Sequence, residues 1–352
     1  MKQNDMKVAI RVDSSTTIGS GHLMRCLTLV ERMRKEKNAE VHFISRDLEG
    51  NLHGKIKEAG FPLHALPRHP FDKSLDGYDA WLTVPQEVDA AETKDVLRGL
   101  GKVNRLVVDN YALDITWERE MRPLVDEIFV IDDLANRQHD CDILLDQSFY
   151  VNMDTRYTSL VPANCKLFLG PAYALLREEF YREKVRLRKR SGIVQNLLIF
   201  YGGSDLTNET MKAVCAVVCT GATNITVNVI VGESNPHKEE VITFCRAYNF
   251  LNVHVQVNNM AEFMNEADLA LGAGGSTIWE RCFLELPSIV TSVADNQRPI
   301  CENAAVMKYI DYMGIYSEVK EFDLQQRVDK YLTEGISEKD WNFRIKWRLG
   351  FS

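Results

Sequence analysis

A histidine placed where a polar turn meets an amphipathic segment is the first candidate for chemistry in this sequence. His22 follows the short polar and glycine residues DSSTTIGSG. It is the second residue of GHLMRCLTLVERMRKEKN (21–38), whose apolar residues recur at helical spacing. An imidazole changes charge near neutral pH, so His22 could act as a general base. The alternative is a polar residue that begins a helix and bonds to the backbone. The residues alone leave both interpretations open.

Asp13 is the candidate partner of His22, because it ends the strand-like run KVAIRVD that precedes the turn. A carboxylate there could orient the imidazole and raise its basicity, or it could cap the turn by accepting backbone N–H groups. Gly19 and Gly21 would let the backbone approach a ligand closely.

Two further turns, YGGSDLTNE (201–209) and GAGGSTIWE (272–280), are also rich in glycine and hydroxyl residues. Free N–H groups in such turns favour an anion, so the three turns together indicate a phosphorylated ligand. The sequence lacks the P-loop pattern G-x-x-x-x-G-K-[ST]. It also lacks G-x-G-x-x-G, since Met24 stands at the third glycine position after GSG, which disfavours a dehydrogenase.

Strand-like and helix-like segments alternate twice along the chain, once before about residue 177 and again after about residue 190. This alternation predicts parallel sheets covered by helices on both faces. We therefore expect an α/β fold of two doubly wound Rossmann-like domains that face a cleft. The predicted domains are 1–176, with His22, and 177–335, with the other two turns; residues 336–352 form a tail without an assigned role.

The composition of the 352-residue chain limits the classes of partner that it can be expected to bind. The chain is 45% hydrophobic and 26% charged, and its net charge of −8 argues against nucleic acid. No apolar run is long enough for a membrane span and no signal peptide begins the chain, so we expect a cytoplasmic protein with reduced cysteines.

The run IDDLANRQHDCD (131–142) resembles a metal site in composition only, because its ligands have no regular spacing. We expect no metal, no cofactor and a monomer. The carboxylates Asp109, Asp132 and Asp133 are instead expected to line the ligand-facing edge of the first domain, where one of them could help position the sugar or His22.

Three segments carry a resemblance to a known family: RVDSSTTIGSGHLMRCLTL, IDDLANRQHDCDILLDQ and GAGGSTIWERCFLELPSIVTSVADNQ. Over about residues 6–330 the sequence resembles the UDP-2,4-diacetamido-2,4,6-trideoxy-β-L-altropyranose hydrolases (PseG) of pseudaminic acid biosynthesis, which serves flagellin glycosylation or surface polysaccharide. The resemblance implies a GT-B fold like that of the UDP-GlcNAc transferase of peptidoglycan synthesis. It also implies a metal-independent hydrolysis in which water attacks the anomeric carbon, UDP leaves and His22 is the catalytic base.

The same resemblance suggests roles for the substrate-binding residues. Glu280 would accept the ribose hydroxyls, although a favourable charge near a helix N-terminus is the alternative. Asn296 and Gln297 suit an N-acetylated sugar or form a polar loop, and Tyr111 could pack on the sugar. The diphosphate would bind Gly203, Ser204, Gly275, Ser276 and Thr277.

Two other functions remain open. A GT-B glycosyltransferase would pass the sugar of a UDP-N-acetylated sugar to an acceptor instead of water. A non-catalytic nucleotide-sugar-binding protein would bind the UDP-sugar without turnover.

Overall fold

The computed structural model describes residues 6–348, with every side chain among them except those of 35–37. The chain divides into two compact units. The first unit runs to Ser148 and adds Asn152–Leu175 and the chain from Trp347; the second contains Phe149–Val151 and Leu176–Lys346. Of the predicted tail, residues 336–346 lie in the second unit, and residues 349–352 lie outside the described residues.

A seven-stranded parallel sheet forms the centre of the first unit, in the order β3-β2-β1-β4-β5-β6-β7. Its strands are β1 (Lys7–Val12), β2 (Glu40–Arg46), β3 (Leu63–Leu66), β4 (Val103–Asp109), β5 (Val125–Ile131), β6 (Ile143–Asp146) and β7 (Lys166–Leu169). Its helices are α1 (Gly21–Lys37), α2 (His53–Glu58), α3 (Gln86–Leu100) and α4 (Ile115–Met121).

The residues of β1 show why this sheet is covered on both faces. Val8, Ile10 and Val12 pack on one side with apolar residues of α1. Ala9 packs on the other side with residues of α3 and α4. Successive side chains of a strand point to opposite faces, so an apolar run such as KVAIRV requires two cores.

The second unit repeats this plan with a six-stranded sheet in the order β10-β9-β8-β11-β12-β13. Its strands are β8 (Asn196–Phe200), β9 (Thr226–Val231), β10 (Leu251–Val255), β11 (Leu269–Ala273), β12 (Ser288–Ser292) and β13 (Asp311–Ile315). Its helices are α5 (Glu178–Val185), α6 (Glu209–Cys219), α7 (Lys238–Cys245), α8 (Met260–Glu266), α9 (Thr277–Phe283), α10 (Arg298–Val306) and α11 (Glu321–Glu334).

Both sheets begin with the strand order 3-2-1-4-5-6 that characterises dinucleotide-binding folds. The predicted fold class, two doubly wound Rossmann-like α/β units, is confirmed. No helix among residues 6–348 combines the length and apolar character needed to span a membrane.

Candidate active site

Buried carboxylates stand at the carboxyl ends of four adjacent strands in the first sheet. Asp13 follows β1, Asp109 ends β4, Asp133 follows β5 and Asp146 ends β6. Each is buried, with at most 7% of its surface exposed. Ligands of open parallel sheets bind at this edge, where the chain turns from strands into helices. The edge is therefore the place where the first unit can do chemistry.

His22 lies in the first turn of α1, at the same edge, and one of its ring nitrogens is fixed. The Nδ1 atom of His22 lies 2.6 Å from Oδ1 of Asp109. The Nε2 atom hydrogen-bonds to no residue in the range 6–348, and the side chain exposes 10% of its surface. The second nitrogen is therefore available to a water molecule or a substrate.

Asp109 is held as a carboxylate by Arg25, which stands one helical turn after His22. Arg25 donates from Nε to Oδ2 and from Nη2 to Oδ1, both at 2.6 Å. Burial opposes the charge, but Arg25 and His22 outweigh it and hold the pKa of Asp109 well below its usual range. A buried carboxylate with these donors remains ionised at neutral pH.

The ionised carboxylate decides which nitrogen of His22 carries the proton. Nη2 of Arg25 also lies 3.1 Å from Nδ1, but a guanidinium only donates, so the shorter contact to Asp109 defines the network. We assign the proton to Nδ1, from which it is donated to Asp109. Nε2 then carries the lone pair, which is the state that a general base requires.

A second layer of residues fixes Arg25 and the imidazole. Nη1 of Arg25 donates to Oδ2 of Asp133 at 2.9 Å, and the hydroxyl of Tyr111 donates to Oδ1 of the same carboxylate. The ring of Tyr111 meets the ring of His22 edge to face at 4.5 Å, and Trp81 does so at 5.5 Å. Tyr111 is 6% exposed. The ring of Tyr111 therefore supports His22 and its hydroxyl supports Asp133, and its packing on a sugar stays a prediction.

The expectation for Asp13 is corrected, because the carboxylate bound to His22 is Asp109. Oδ1 of Asp13 accepts from Nη1 of Arg11 at 2.6 Å and from the backbone N–H of Arg46 at 2.7 Å. Its Oδ2 accepts from Nδ2 of Asn110 at 2.9 Å. Asp13 therefore connects the ends of β1, β2 and β4 and is a structural residue of this edge.

The polar turn before α1 is closed by its own hydrogen bonds. Ser15 Oγ accepts from the N–H of Ile18 at 2.9 Å, and the carbonyl of Ser15 accepts from the N–H of Gly19 at the same distance. Gly19 has a φ of +78°, which a glycine adopts without strain. A side chain at Gly19 or Gly21 would meet no atom within 4 Å, so both glycines border open space.

The acidic run 131–142 is engaged in ion pairs. Asp132 accepts from Arg137 at 2.8 Å, Asp140 and Asp142 accept from Arg122, and Nδ1 of His139 lies 2.7 Å from Glu118. Among the residues that the structure describes, no group of three or more histidines, cysteines and carboxylates is arranged to hold a metal ion. These side chains stabilise the first unit.

The predicted anion-binding turns of the second unit follow β8 and β11, which are neighbours in the sheet. Gly203 and Ser204 lie in the turn after β8, where Gly202 has a φ of +99° and Asp205 accepts the N–H groups of Glu209 and Thr210. In the turn after β11, Gly275 is half-buried, Ser276 is exposed and Thr277 begins α9. The structure thus brings both predicted turns to one edge of the second sheet.

Three further predicted residues lie beside the turn after β11. Oε1 of Gln297 accepts the N–H of Val293 at 3.0 Å, and its Nε2 lies 3.7 Å from where a Cβ of Gly275 would stand. Asn296 belongs to the same single turn after β12 and is half-buried. Oε1 of Glu280 accepts from Nη2 of Arg177 at 3.4 Å, and burial raises the pKa of Glu280 although Arg177 opposes the shift.

Sequence reasoning missed Arg25 and Trp81. Arg25 stands three residues after His22, a spacing that places two side chains on one face of a helix, so the signal was present. Trp81 lies in a short 3₁₀ turn, Asp79–Leu82, and carries no pattern that connects it to His22.

Comparison with known proteins first defines the class. The structure superposes on MurG of Acinetobacter baumannii with a TM-score of 0.60 at 12% identity, covering 94% of this chain and 91% of that one. It superposes on UGT71G1 of Medicago truncatula, solved with UDP-glucose, with a TM-score of 0.64 at 10% identity, covering 96% and 93%. Residues 196–343 match the model of the glycosyltransferase family 28 C-terminal domain. The protein has the GT-B fold.

Two relatives then show which proteins this chain resembles in sequence. The UDP-2,4-diacetamido-2,4,6-trideoxy-beta-L-altropyranose hydrolase of Campylobacter jejuni is 27% identical over 280 residues, which is 80% of this chain and 89% of that protein. An uncharacterised protein of Methanocaldococcus jannaschii is 25% identical over 303 residues, 83% of this chain, and the match spans only 57% of its length. The resemblance to the hydrolase family that the sequence predicted is confirmed.

Proposed function

We propose that this protein hydrolyses UDP-2,4-diacetamido-2,4,6-trideoxy-β-L-altropyranose to the free sugar and UDP. The observation that carries the proposal is the His22–Asp109 pair, with Nδ1 bound at 2.6 Å and Nε2 without a protein partner among residues 6–348. Nε2 takes a proton from water as the water oxygen bonds to the anomeric carbon. The bond between that carbon and the diphosphate oxygen breaks, and UDP leaves with the electron pair.

A single base suffices for this reaction because UDP is a good leaving group. Ordinary glycosidases need a second carboxyl group that protonates the departing oxygen. A diphosphate carries the developing charge itself, so hydrogen-bond donors aimed at it can replace the acid. The proposal therefore assigns no general acid. Asp109 acts as the residue that holds His22 in the Nδ1–H form and stabilises the imidazolium.

The second unit supplies nucleotide binding in this proposal. Backbone N–H groups and hydroxyls of Gly203, Ser204, Gly275, Ser276 and Thr277 bind the diphosphate. Glu280 accepts the ribose hydroxyls, and Asn296 and Gln297 bind an N-acetyl group of the sugar. The support is their position: they lie after β8, β11 and β12, which are adjacent strands, and C. jejuni carries a UDP-sugar hydrolase of related sequence.

The second candidate function is sugar transfer to an acceptor other than water. The match of residues 196–343 to a glycosyltransferase family 28 domain favours it. The two functions differ in what happens without an acceptor, since a hydrolase releases UDP and free sugar from the UDP-sugar alone. A binding protein without catalysis would release neither.

The test incubates the full chain with this UDP-sugar in EDTA and measures UDP and free sugar. We expect release that persists in EDTA and falls by at least about a hundredfold in His22→Ala. The matched control is His69→Ala in the same unit, where His69 is 33% exposed and paired with Glu92; it should retain wild-type activity. Loss of activity in EDTA would contradict the metal-independent mechanism, and unchanged activity in His22→Ala would contradict the role of His22.

A further inference from the structure

A buried arginine without a carboxylate partner stands in the second unit. Arg281, on α9, is 1% exposed. The two arginines of comparable burial in the first unit, Arg11 and Arg46, each bind Asp89 at 2.6 Å. Among the described residues no carboxylate lies within ion-pair distance of Arg281, and its Nε atom is buried without a hydrogen-bond partner. A buried charge without an ion pair is costly, and the attraction of the neighbouring Glu280 offsets only part of that cost.

The carboxylate of the adjacent residue, Glu280, forms its ion pair with Arg177. Glu280 directs Oε1 to Nη2 of Arg177 at 3.4 Å, and Arg177 also pairs with Glu179 at 2.6 Å. The partner that Arg281 does have is a neutral group, the carbonyl of Ala273, at 2.8 Å from Nη2. Burial lowers the pKa of Arg281 from its ordinary value, but a guanidinium remains charged at neutral pH.

The position of this charge relates it to the two glycine turns of the second unit. Nη1 of Arg281 lies 2.5 Å from where a Cβ of Gly272 would stand, and the carbonyl of Phe200 lies 2.6 Å from the same point. Gly272 and Phe200 are paired residues at the carboxyl ends of β11 and β8. The turns 201–205 and 274–277 begin directly after these two strands. The guanidinium is thus buried at the common base of both turns.

We propose that Arg281 supplies the positive charge that compensates a pyrophosphate group bound by these two turns. This inference rests on the proposed function and names the residue that gives its nucleotide site affinity for the diphosphate. Arg281 is a positioning residue: it is covered by protein, contacts the carbonyl of Ala273 and acts on the anion through its field. In a water-poor interior such a field decays slowly with distance.

The alternative role is purely structural, in which Arg281 serves to bind the carbonyl of Ala273. The two roles differ in the stability of the unliganded protein. Replacing a buried unpaired charge by an apolar side chain of similar volume is often neutral or stabilising. If Arg281 serves a ligand, it lowers the stability of the unliganded protein, and replacing it should restore that stability. If Arg281 is structural, replacing it should destabilise the unliganded protein.

The experiment measures binding of inorganic pyrophosphate, UDP and uridine to the full chain and to Arg281→Met by titration calorimetry, with thermal unfolding of each protein alone. We expect affinities for pyrophosphate and UDP at least about tenfold lower in Arg281→Met. Uridine affinity should stay within about twofold, and the unliganded variant should unfold at the wild-type temperature or above. The control Arg246→Met removes an exposed charge from the same unit and should change none of these.

Arg281→Lys keeps the charge and changes the hydrogen bonding. Arg281→Lys should retain most of the affinity for pyrophosphate. If Arg281→Met does not fold, this variant alone tests whether the positive charge at position 281 supports pyrophosphate binding. Equal losses for uridine and UDP, unchanged pyrophosphate binding in Arg281→Met, or pyrophosphate binding lost in Arg281→Lys would each overturn the inference. Pyrophosphate binding that depends on Arg281 in a protein that releases no UDP from the UDP-sugar would uphold the inference and reject the proposed hydrolysis.

Discussion

Nδ1 of His22 and Oδ1 of Asp109 lie 2.6 Å apart, although 87 positions separate the two residues in the chain. The contact forms because β1 and β4 are neighbours in the sheet, so the turn after β1 and the end of β4 meet at one edge. Arg25, on the same helix as His22, donates to both oxygens of this carboxylate. One helix therefore carries both the proposed base and the cation that keeps its partner ionised.

Asp109→Asn should lower the turnover number for UDP release by about a thousandfold, with little change in KM. An amide can donate to Nδ1, which moves the imidazole proton to Nε2 and removes the lone pair that the reaction needs. Steady-state kinetics on protein whose circular dichroism matches the wild type would measure the effect. Asp126→Asn, at an exposed site of the same unit, is the control. Wild-type turnover in Asp109→Asn would show that His22 acts without this carboxylate.

Asp89→Asn should destabilise the first unit by about 3–5 kcal/mol, because it weakens the compensation of two buried guanidiniums. Asp89 accepts from Arg11 and Arg46 at 2.6 Å and from Nε1 of Trp117 at 3.0 Å. Urea unfolding at pH 7 would measure the loss. Asp95→Asn, on the same helix and 78% exposed, should stay near wild type.

The same carboxylate predicts a pH dependence. Burial opposes its charge, but Arg11 and Arg46 outweigh burial and lower the pKa of Asp89. A lowered native pKa stabilises the fold above the unfolded value of about 3.9, and this contribution disappears as the pH falls through the native pKa. The difference in unfolding free energy between wild type and Asp89→Asn should therefore shrink below about pH 4. A constant difference down to pH 2 would argue against the ionised network.

Gly232→Ala should weaken UDP binding and destabilise the second unit by about 1–3 kcal/mol. A Cβ at Gly232 would stand 2.0 Å from the carbonyl oxygen of Gly203, so the turn that is proposed to bind diphosphate must move. Gly99→Ala is the matched control, since a Cβ there meets nothing within 4 Å and lies in α3. The free energy of unfolding of Gly99→Ala should rise by up to about 1 kcal/mol, because alanine has the higher helix propensity. Unchanged UDP affinity in Gly232→Ala would show that the 201–205 turn does not bind UDP.

Glu280→Gln should reduce UDP affinity by about tenfold while leaving 2′,3′-dideoxy-UDP affinity nearly unchanged. A carboxylate accepts a ribose hydroxyl more strongly than an amide does, and that preference disappears with the hydroxyl. Competition binding with the two nucleotides would measure the ratio. The control Glu285→Gln changes a half-exposed carboxylate that pairs with Lys184. Equal losses for both nucleotides would favour the alternative that Glu280 serves only its helix and Arg177.

The alternating pattern predicted the parallel strands well because apolar β-branched runs have few other stable arrangements. The helical pattern of GHLMRCLTLVERMRKEKN (21–38) is observed as the helix Gly21–Lys37, and the strand-like run KVAIRVD (7–13) as the strand Lys7–Val12. The short edge strand Leu63–Leu66 was missed, since four residues at a sheet edge carry little hydrophobic signal. The strand Asp311–Ile315 was also missed; it contains Gly314 and is only partly buried.

The site was predictable in location but not in pairing. The turn after the first strand indicated His22 as the candidate residue, because ligand sites recur at that edge. Its partner was not predictable with certainty, since Asp13, Asp109 and Asp133 all end strands at the same edge. Local geometry decides among them: Arg11 and Arg46 engage Asp13, and Arg25 and Tyr111 engage Asp133. Arginine is seldom fully buried, so composition gave no reason to expect Arg281 in a core.

The shared attachment of α1 to Asp109 links the integrity of the proposed active site to the packing of that helix on the sheet. His22, Arg25 and Cys26 all contact the same carboxylate from one face of α1. Undocking of that helix would withdraw the base and leave a buried charge uncompensated in the same event. Thermal inactivation should therefore be a single cooperative transition that coincides with unfolding of the first unit, without a partly active intermediate.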